Sequence, residues 1–393
     1  MSSHFDVSPE LDRRLNKGLR AAGGLGLLLL VLSIIGAVFN PDQFFHAYLF
    51  SYLFWLGVSL GCLALLMTQY LTGGAWGVVT RRTLEAASRL LPLLAVLFIP
   101  VAVGIPHLYE WAHPDDVARD DVLRHRAGYM NTEWFIVRAV VYFVIWITLM
   151  FLLDRWSRQE DEGTPRLQFF ARLSAPGLIL YVFTVSFSSV DWAESLFTHW
   201  FSTMWGFLFV AGQGITAMGF TILAVSMLAV APPMSEAFKA SHLHDLGKLL
   251  LTFVMLWAYF SFSQLLIVWS GNLTSEIPWY FVRWHGSWAV MGIAIALLEF
   301  LIPFLLLLSR PIKRNRIALG IVVGLLLIMR LIDLYWIVVP ALDREALHLH
   351  WLQFTCPIGI GGIWVAAFIW QIRRRPLLPL GAPNLEEALS HAD

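Results

Sequence analysis

Cysteine is almost absent from this sequence, with only Cys62 and Cys356 in 393 residues. Both fall inside apolar stretches, so they read as small packing residues, with no disulfide framework. There is no CxxCH for covalent haem and no cysteine cluster for iron and sulfur. Any redox cofactor of this chain must therefore bind non-covalently or sit on another subunit. Charge is scarce too, at 14% Asp, Glu, Lys and Arg, and it sums to zero. That balance by itself says little about partners, and no nucleic acid is expected among them. Long polar segments are few, which leaves no room for a second, soluble domain.

What fills the chain is apolar: 58% hydrophobic residues, too many for a soluble surface to cover. Windows of roughly 19 residues place ten spans near 19–39, 46–71, 88–105, 134–153, 168–190, 199–228, 249–269, 285–308, 317–339 and 351–372. The expected class is all-α, a polytopic membrane protein of about ten transmembrane helices. Residues 1–18 and 374–393 read as tails around a membrane domain over 19–373, with its longest loop at 106–131. That loop is polar and aromatic, and a short helix is expected at Asp115–His125. The tail from Leu385 reads as weakly helical.

The first span is too long for a signal-peptide core and lacks a small-residue cleavage site, so it should remain as an anchor. Placing the N-terminus in the cytoplasm puts most of the 27 Lys and Arg residues on that side. The positive-inside rule then predicts both termini in the cytoplasm.

Histidines mark the opposite side: His46, His199, His285 and His350 each precede or open a span that should run inward. In a field of Trp and Phe they are candidates for a quinone headgroup or for a partner face, and plain interfacial anchoring explains the same pattern. No histidine lies near a predicted midplane, which argues against haem b. His348-x-His350 and His242-x-His244-Asp245 lack further ligands, so no metal site is assigned.

Charges inside spans are costly and so carry more information. Glu299 lies twelve residues past Ser287, about 18 Å along a helix at 1.5 Å per residue, near the middle of a core roughly 30 Å thick. Pro303, four residues on, cannot donate to its carbonyl, so a kink is expected there. A partner for Glu299 could be Arg89 of the third span. Nearer the outer side, Arg330 and Asp333 share a face of the ninth span. Arg138, Asp191 and Glu194 could join them in one network. Tyr181, Gln213, Tyr259 and Gln264 are polar groups between the two levels. Together they suggest a proton route, with Glu299 on its inner half and Asp333 on its outer half; local hydrogen bonding explains each one singly. Gly57-xxx-Gly61 and Gly320-xxx-Gly324 supply small-residue contact faces.

The segment FFHAYLFSYLFWLGVSLGCLALLMTQYLTGGAWG, from Phe44 to Gly77, followed by VVTRRTLEAASRLLP to Pro92, resembles the second NrfD-like membrane subunit of bacterial alternative complex III. The likeness extends over nearly the whole chain. The resemblance implies an NrfD/PsrC-like pair of four-helix bundles with extra helices. It also implies membership of a quinol:cytochrome c, or other acceptor, oxidoreductase. Periplasmic multihaem cytochrome c and iron–sulfur subunits and a longer NrfD-like paralogue would be its partners, alongside membrane lipid. Haem c and iron–sulfur clusters would sit on those partners, and quinol or menaquinol is the small molecule to consider here. This chain would contribute a proton path and scaffold, with no catalytic residue of its own. A passive scaffold and an independent secondary transporter are the competing readings.

Overall fold

The computed structural model describes residues 7–164, 167–344, 346–382 and 385. Among them there is no strand, and ten helices are long and apolar enough to cross a membrane. The protein is an all-α, multi-pass membrane protein. Its spanning helices are α1 (Pro9–Phe39), α2 (Pro41–Thr72), α3 (Ala75–Ser88, continued by short turns at Leu91–Val96 and Ile99–Val103), α4 (Thr132–Asp161) and α5 (Leu167–Trp192). They are followed by α6 (Trp205–Leu228), α7 (Ala240–Gly271), α8 (Gly286–Leu308), α9 (Arg316–Val338) and α10 (Leu352–Ile372). The C-terminal tail beyond 385 lies outside the described residues.

Several boundaries depart from the hydropathy windows. α1 begins ten residues before the predicted span, because the Ser8 side chain caps it and Pro9 is preset for a first helical position. The sixth span starts at Trp205, so His199 stands in a loop. The third span breaks after Ser88 and again near Leu97, ahead of Pro92 and Pro100 in turn, each of which restricts the residue before it. In the long loop the expected single helix is two, Pro114–Arg119 and Asp121–Arg126. Asp120 divides them, its carboxylate accepting from Val122 N–H at 2.8 Å and capping the second.

α2 through α5 pack as one bundle and α6 through α9 as another, joined chiefly where α2 meets α6. α2 is the central helix, with 89% of its apolar window buried. Gly61 makes the junction close: a Cβ there would overlap the Gln213 carbonyl and fall 2.6 Å from Ala217 Cβ. Gly324, by contrast, has nothing within 4 Å, and a Cβ on Gly320 would meet only the Leu223 side chain of α6 at 3.9 Å, so the second small-residue motif makes no close backbone approach.

α1 and α10 form a separate pair laid against α2. A Cβ on Gly26 would stand 2.6 Å from Ile363 N, so the two backbones touch. Ser33 Oγ donates to Thr355 Oγ1 at 2.8 Å, and Arg373 reaches back to Asp12 at 2.7 Å.

The start of α1, the end of α10 and the segments at 73–74, 162–164, 229–239 and 309–315 define one face of the molecule, here called the basic face. On it, α3 touches helices of both bundles and α10. It carries a buried ion network. Arg82 pairs with Glu85 at 2.7 Å and Asp161 at 2.5 Å, and Arg81 with Glu85 at 3.0 Å and Glu160 at 2.5 Å. Ser157 donates to Glu85 at 2.7 Å. Buried charges of this kind persist only when paired and hydrogen-bonded.

Candidate functional site

The site grows from a defect in α8. Residues Ala296–Leu301 form a π-turn, in which Ile302 N–H bonds the Leu297 carbonyl five residues back. One extra residue per turn re-aims the side chains, and such bulges recur where a helix must present a particular group. The group here is Glu299, which is completely buried. The irregularity expected from Pro303 is present, and its form is a π-turn.

Across from it, α9 places Arg330 and Asp333 one turn apart on one face. Arg330 Nη1 donates to Glu299 Oε1 at 3.0 Å and also to Asp333 Oδ2. The three groups form a buried triad at one level of the bundle, instead of two acids on separate halves. Glu299 therefore pairs with Arg330, and Arg89 pairs with Asp154 at 3.2 Å on the basic face. The hydropathy reading misjudged this because depth counted along two different helices has no common origin.

The triad carries one formal cation against two carboxylates. It is neutral only when one carboxyl holds a proton, and in a low-dielectric interior neutrality is strongly favoured. Glu299 Oε2 and Arg330 Nε have no hydrogen-bond partner among the described residues. The geometry suits a group that takes up and releases a proton.

Beside the triad lies a cavity of about 790 Å³ between α6, α7, α8, α9 and the short helix Ile277–Arg283. That is within the usual range for a small-molecule site. Trp205, Trp257, Trp279 and Trp336 supply aromatic walls, and Arg330 and Asp333 line it too. Gln264 Nε2 donates to the Tyr280 hydroxyl at 3.2 Å, while Gln264 Oε1 accepts from Ser202 Oγ at 2.9 Å. Burial raises the Tyr280 pKa to about 12, against a smaller downward pull from Gln264, so the hydroxyl stays a donor.

Arg283 also lines the cavity, fully buried and without an ion pair among the described residues. Its guanidinium donates to the carbonyls of Trp279, Trp336 and Ile337 at 3.0, 3.2 and 2.9 Å. It lies 3.8 Å from the Trp279 ring centroid and 4.6 Å from that of Phe197. Desolvation holds its pKa well below the ordinary arginine value, only partly offset by Tyr280 and Asp333. Sequence reasoning passed over Arg283, Tyr280 and Trp279; the signal was IPWYFVR, an arginine closing an aromatic turn between two apolar spans.

On the other side of Arg330 a void of about 20 Å³ is lined by Ser188, Ser189, Gln213 and Thr216. It has the volume of a single water molecule, with these polar groups set among mainly apolar neighbours such as Leu53, Leu56 and Phe209. Tyr181 donates to Gln213 Oε1 at 2.7 Å next to it.

The remaining candidates lie apart. Arg138 grips Asp191 through two bonds of 2.9 and 3.0 Å, with the Tyr142 hydroxyl a third partner at 2.8 Å. Glu194 accepts from Ser202 N–H. The single outer network expected from sequence is thus divided: Arg138 and Asp191 stand apart from the triad, and Glu194 connects through Ser202 to Gln264 at the cavity. Tyr259 is exposed at the cavity rim.

The four histidines do not converge, and none lines the cavity. His46 is buried, with Nδ1 at 2.9 Å from the Asp42 carbonyl, and His285 makes the same local contact to Phe281 at 2.7 Å. His199 pairs with Asp120 at 2.7 Å, and His350 Nδ1 accepts from Leu352 N–H at 3.4 Å. Each is occupied by its own neighbourhood, as interfacial histidines are when they anchor loops. Among the described residues, no three His, Cys, Asp or Glu groups gather to hold a metal.

The sequence matches no model of a known protein family and no curated protein.

Proposed function

We propose that this chain is an integral membrane subunit of a respiratory quinol:acceptor oxidoreductase of the alternative complex III type, contributing a proton-exchanging site and a scaffold. The observation that carries the reading is the Glu299–Arg330–Asp333 triad opening onto an aromatic cavity of about 790 Å³. A quinol ring needs aromatic cover on its faces and polar partners for its oxygens. Here Trp279 and Trp336 would supply the cover, and the Tyr280 hydroxyl and Arg283 would meet the oxygens.

Oxidation of a quinol releases two protons with its two electrons. The electrons would leave to iron–sulfur and haem centres on partner subunits. The chain's own contribution is proton handling: Asp333 faces the cavity, Arg330 holds it and Glu299 together, and a proton on either carboxyl neutralises the cluster. A passive scaffold has no need of an acid–arginine–acid group at such a costly depth.

Mild-detergent purification through a C-terminal tag tests the assignment. Co-purifying c-type haem and iron–sulfur protein with quinol oxidation activity is the expected result. A colourless, solitary protein would overturn it and favour a transporter.

A further inference from the structure

A second cavity, of about 400 Å³, opens on the basic face between α4 and α10, far from the triad. Its charges are unequal: Arg89, Arg155, Arg158 and Arg374 against Asp154 alone. Asp154 is already saturated, with Arg89 at 3.2 Å, Arg158 at 2.7 Å and Arg375 at 2.8 Å. Among the described residues Arg155 makes no ion pair, and Arg374, 3.5 Å over the Trp370 ring centroid, has no carboxylate partner. The wall continues into apolar surface. Phe151, one turn before Arg155, is 56% exposed, and Trp370, one turn before Arg374, is 44% exposed.

A notch with surplus arginines at the end of two spanning helices, and exposed aromatics one turn nearer the lipid, has the polarity of a phospholipid. Guanidinium forks fit phosphate oxygens bidentately, and the aromatic rings fit the glycerol and upper acyl region. Basic pockets between transmembrane helices recognise anionic headgroups by this combination. We propose that the cavity between α4 and α10 binds the phosphate headgroup of an anionic membrane phospholipid, held by Arg155 and Arg158 from one side and Arg374 from the other. Arg89 lies behind, locked to Asp154, and keeps the floor positive. The bound lipid ties the end of α10 to α4, beside the buried ion network of α3.

The test is lipid binding by the full-length protein, as isolated with any partners, after delipidation in a neutral detergent. Phosphatidylglycerol and phosphatidylcholine are titrated in turn, with adducts counted by native mass spectrometry and affinity measured by thermal shift. The expected result is preferential binding of phosphatidylglycerol that millimolar inorganic phosphate does not displace. An Arg155→Ala/Arg374→Ala variant should bind about 30-fold more weakly. Both side chains are exposed, so the fold should survive. The lysine pair Arg155→Lys/Arg374→Lys should recover part of the affinity. Equal binding of the two lipids, unchanged affinity in the alanine variant, or full competition by free phosphate would each overturn the proposal.

Discussion

Arg330 occupies the space that a side chain on Gly212 would need: a Cβ at Gly212 would overlap Nη2 and stand 2.7 Å from Cζ. The guanidinium reaches Glu299 and Asp333 only because α6 offers bare backbone at that point. Gly212→Ala should push Arg330 off its carboxylates, lower stability by about 1–3 kcal/mol as overpacking does, and reduce turnover of the assembled complex. An unchanged melting temperature with full activity would show that Arg330 has another seat.

Glu299→Gln and Asp333→Asn keep the shape and the hydrogen bond from Arg330 while removing the exchangeable proton. Each should leave assembly intact and lower quinol turnover or proton release by about 10²-fold or more, the usual scale for loss of a positioned acid or base. Normal turnover in an intact complex would sink the proton-exchange role. Arg330→Leu is the harsher change. It strands two buried carboxylates and should cost about 3–5 kcal/mol, read as a large drop in thermal stability.

Much of this was legible beforehand, and the reasons are local. Ten apolar runs announce ten helices because the bilayer fixes their length. Glu299, and Arg330 with Asp333, stand out because a charge in an apolar run is conspicuous. Their union was not legible. Glu299 and Arg330 lie 31 positions apart on different helices, and no period within one helix encodes a contact between two. Nor were the local partners of the histidines legible: His285 Nδ1 lies against the Phe281 carbonyl and His199, in its loop, pairs with Asp120, and none of the four lines the cavity. Arg81, Arg82 and Glu85 fall between the second and third hydropathy windows, yet α3 is buried and its charges pair with α4, which only the packing of the two helices reveals.

The α3 network gives a prediction of its own. Arg82→Leu leaves Glu85 and Asp161 short of a cation and should destabilise the protein by about 3–5 kcal/mol. Gly324→Ala, at an open position, should leave the melting temperature where it was. Thermal unfolding in detergent separates the two, and similar curves for both variants would show that the network contributes little.

Tyr280 provides a pH signature. Its pKa is raised from 10 to about 12 by burial, so above pH 10 the unfolded chain loses this proton while the folded protein keeps it. Its contribution to stability is therefore complete below pH 10 and is lost as pH rises to about 12. The loss is about 3 kcal/mol at most for a shift of this size. In Tyr280→Phe the melting temperature should fall less steeply between pH 10 and 12 than in the wild type. Parallel profiles would place the Tyr280 hydroxyl in contact with water.

Occupancy of the large cavity can be checked apart from turnover. Ala289 and Gly292 line it, and Ala289→Trp would fill part of its volume. Binding of a short-chain quinone analogue, measured by equilibrium dialysis, should weaken by about tenfold, a steric loss near 1.4 kcal/mol. Unaltered binding would put the quinone elsewhere.

The pairing of α1 with α10 also sets a timetable. α1 finds its tightest partner in α10, more than 300 residues later in the sequence: Ser33 with Thr355, Asp12 with Arg373. Until α10 is made, α1 has little but lipid and the edge of α2 to lean on. The seat of α1 is therefore complete only once α10 has been made. A chain stopped before residue 352 would hold both four-helix bundles and an unmoored first helix, a defect that quality control could detect at the N-terminus although its cause lies at the C-terminus.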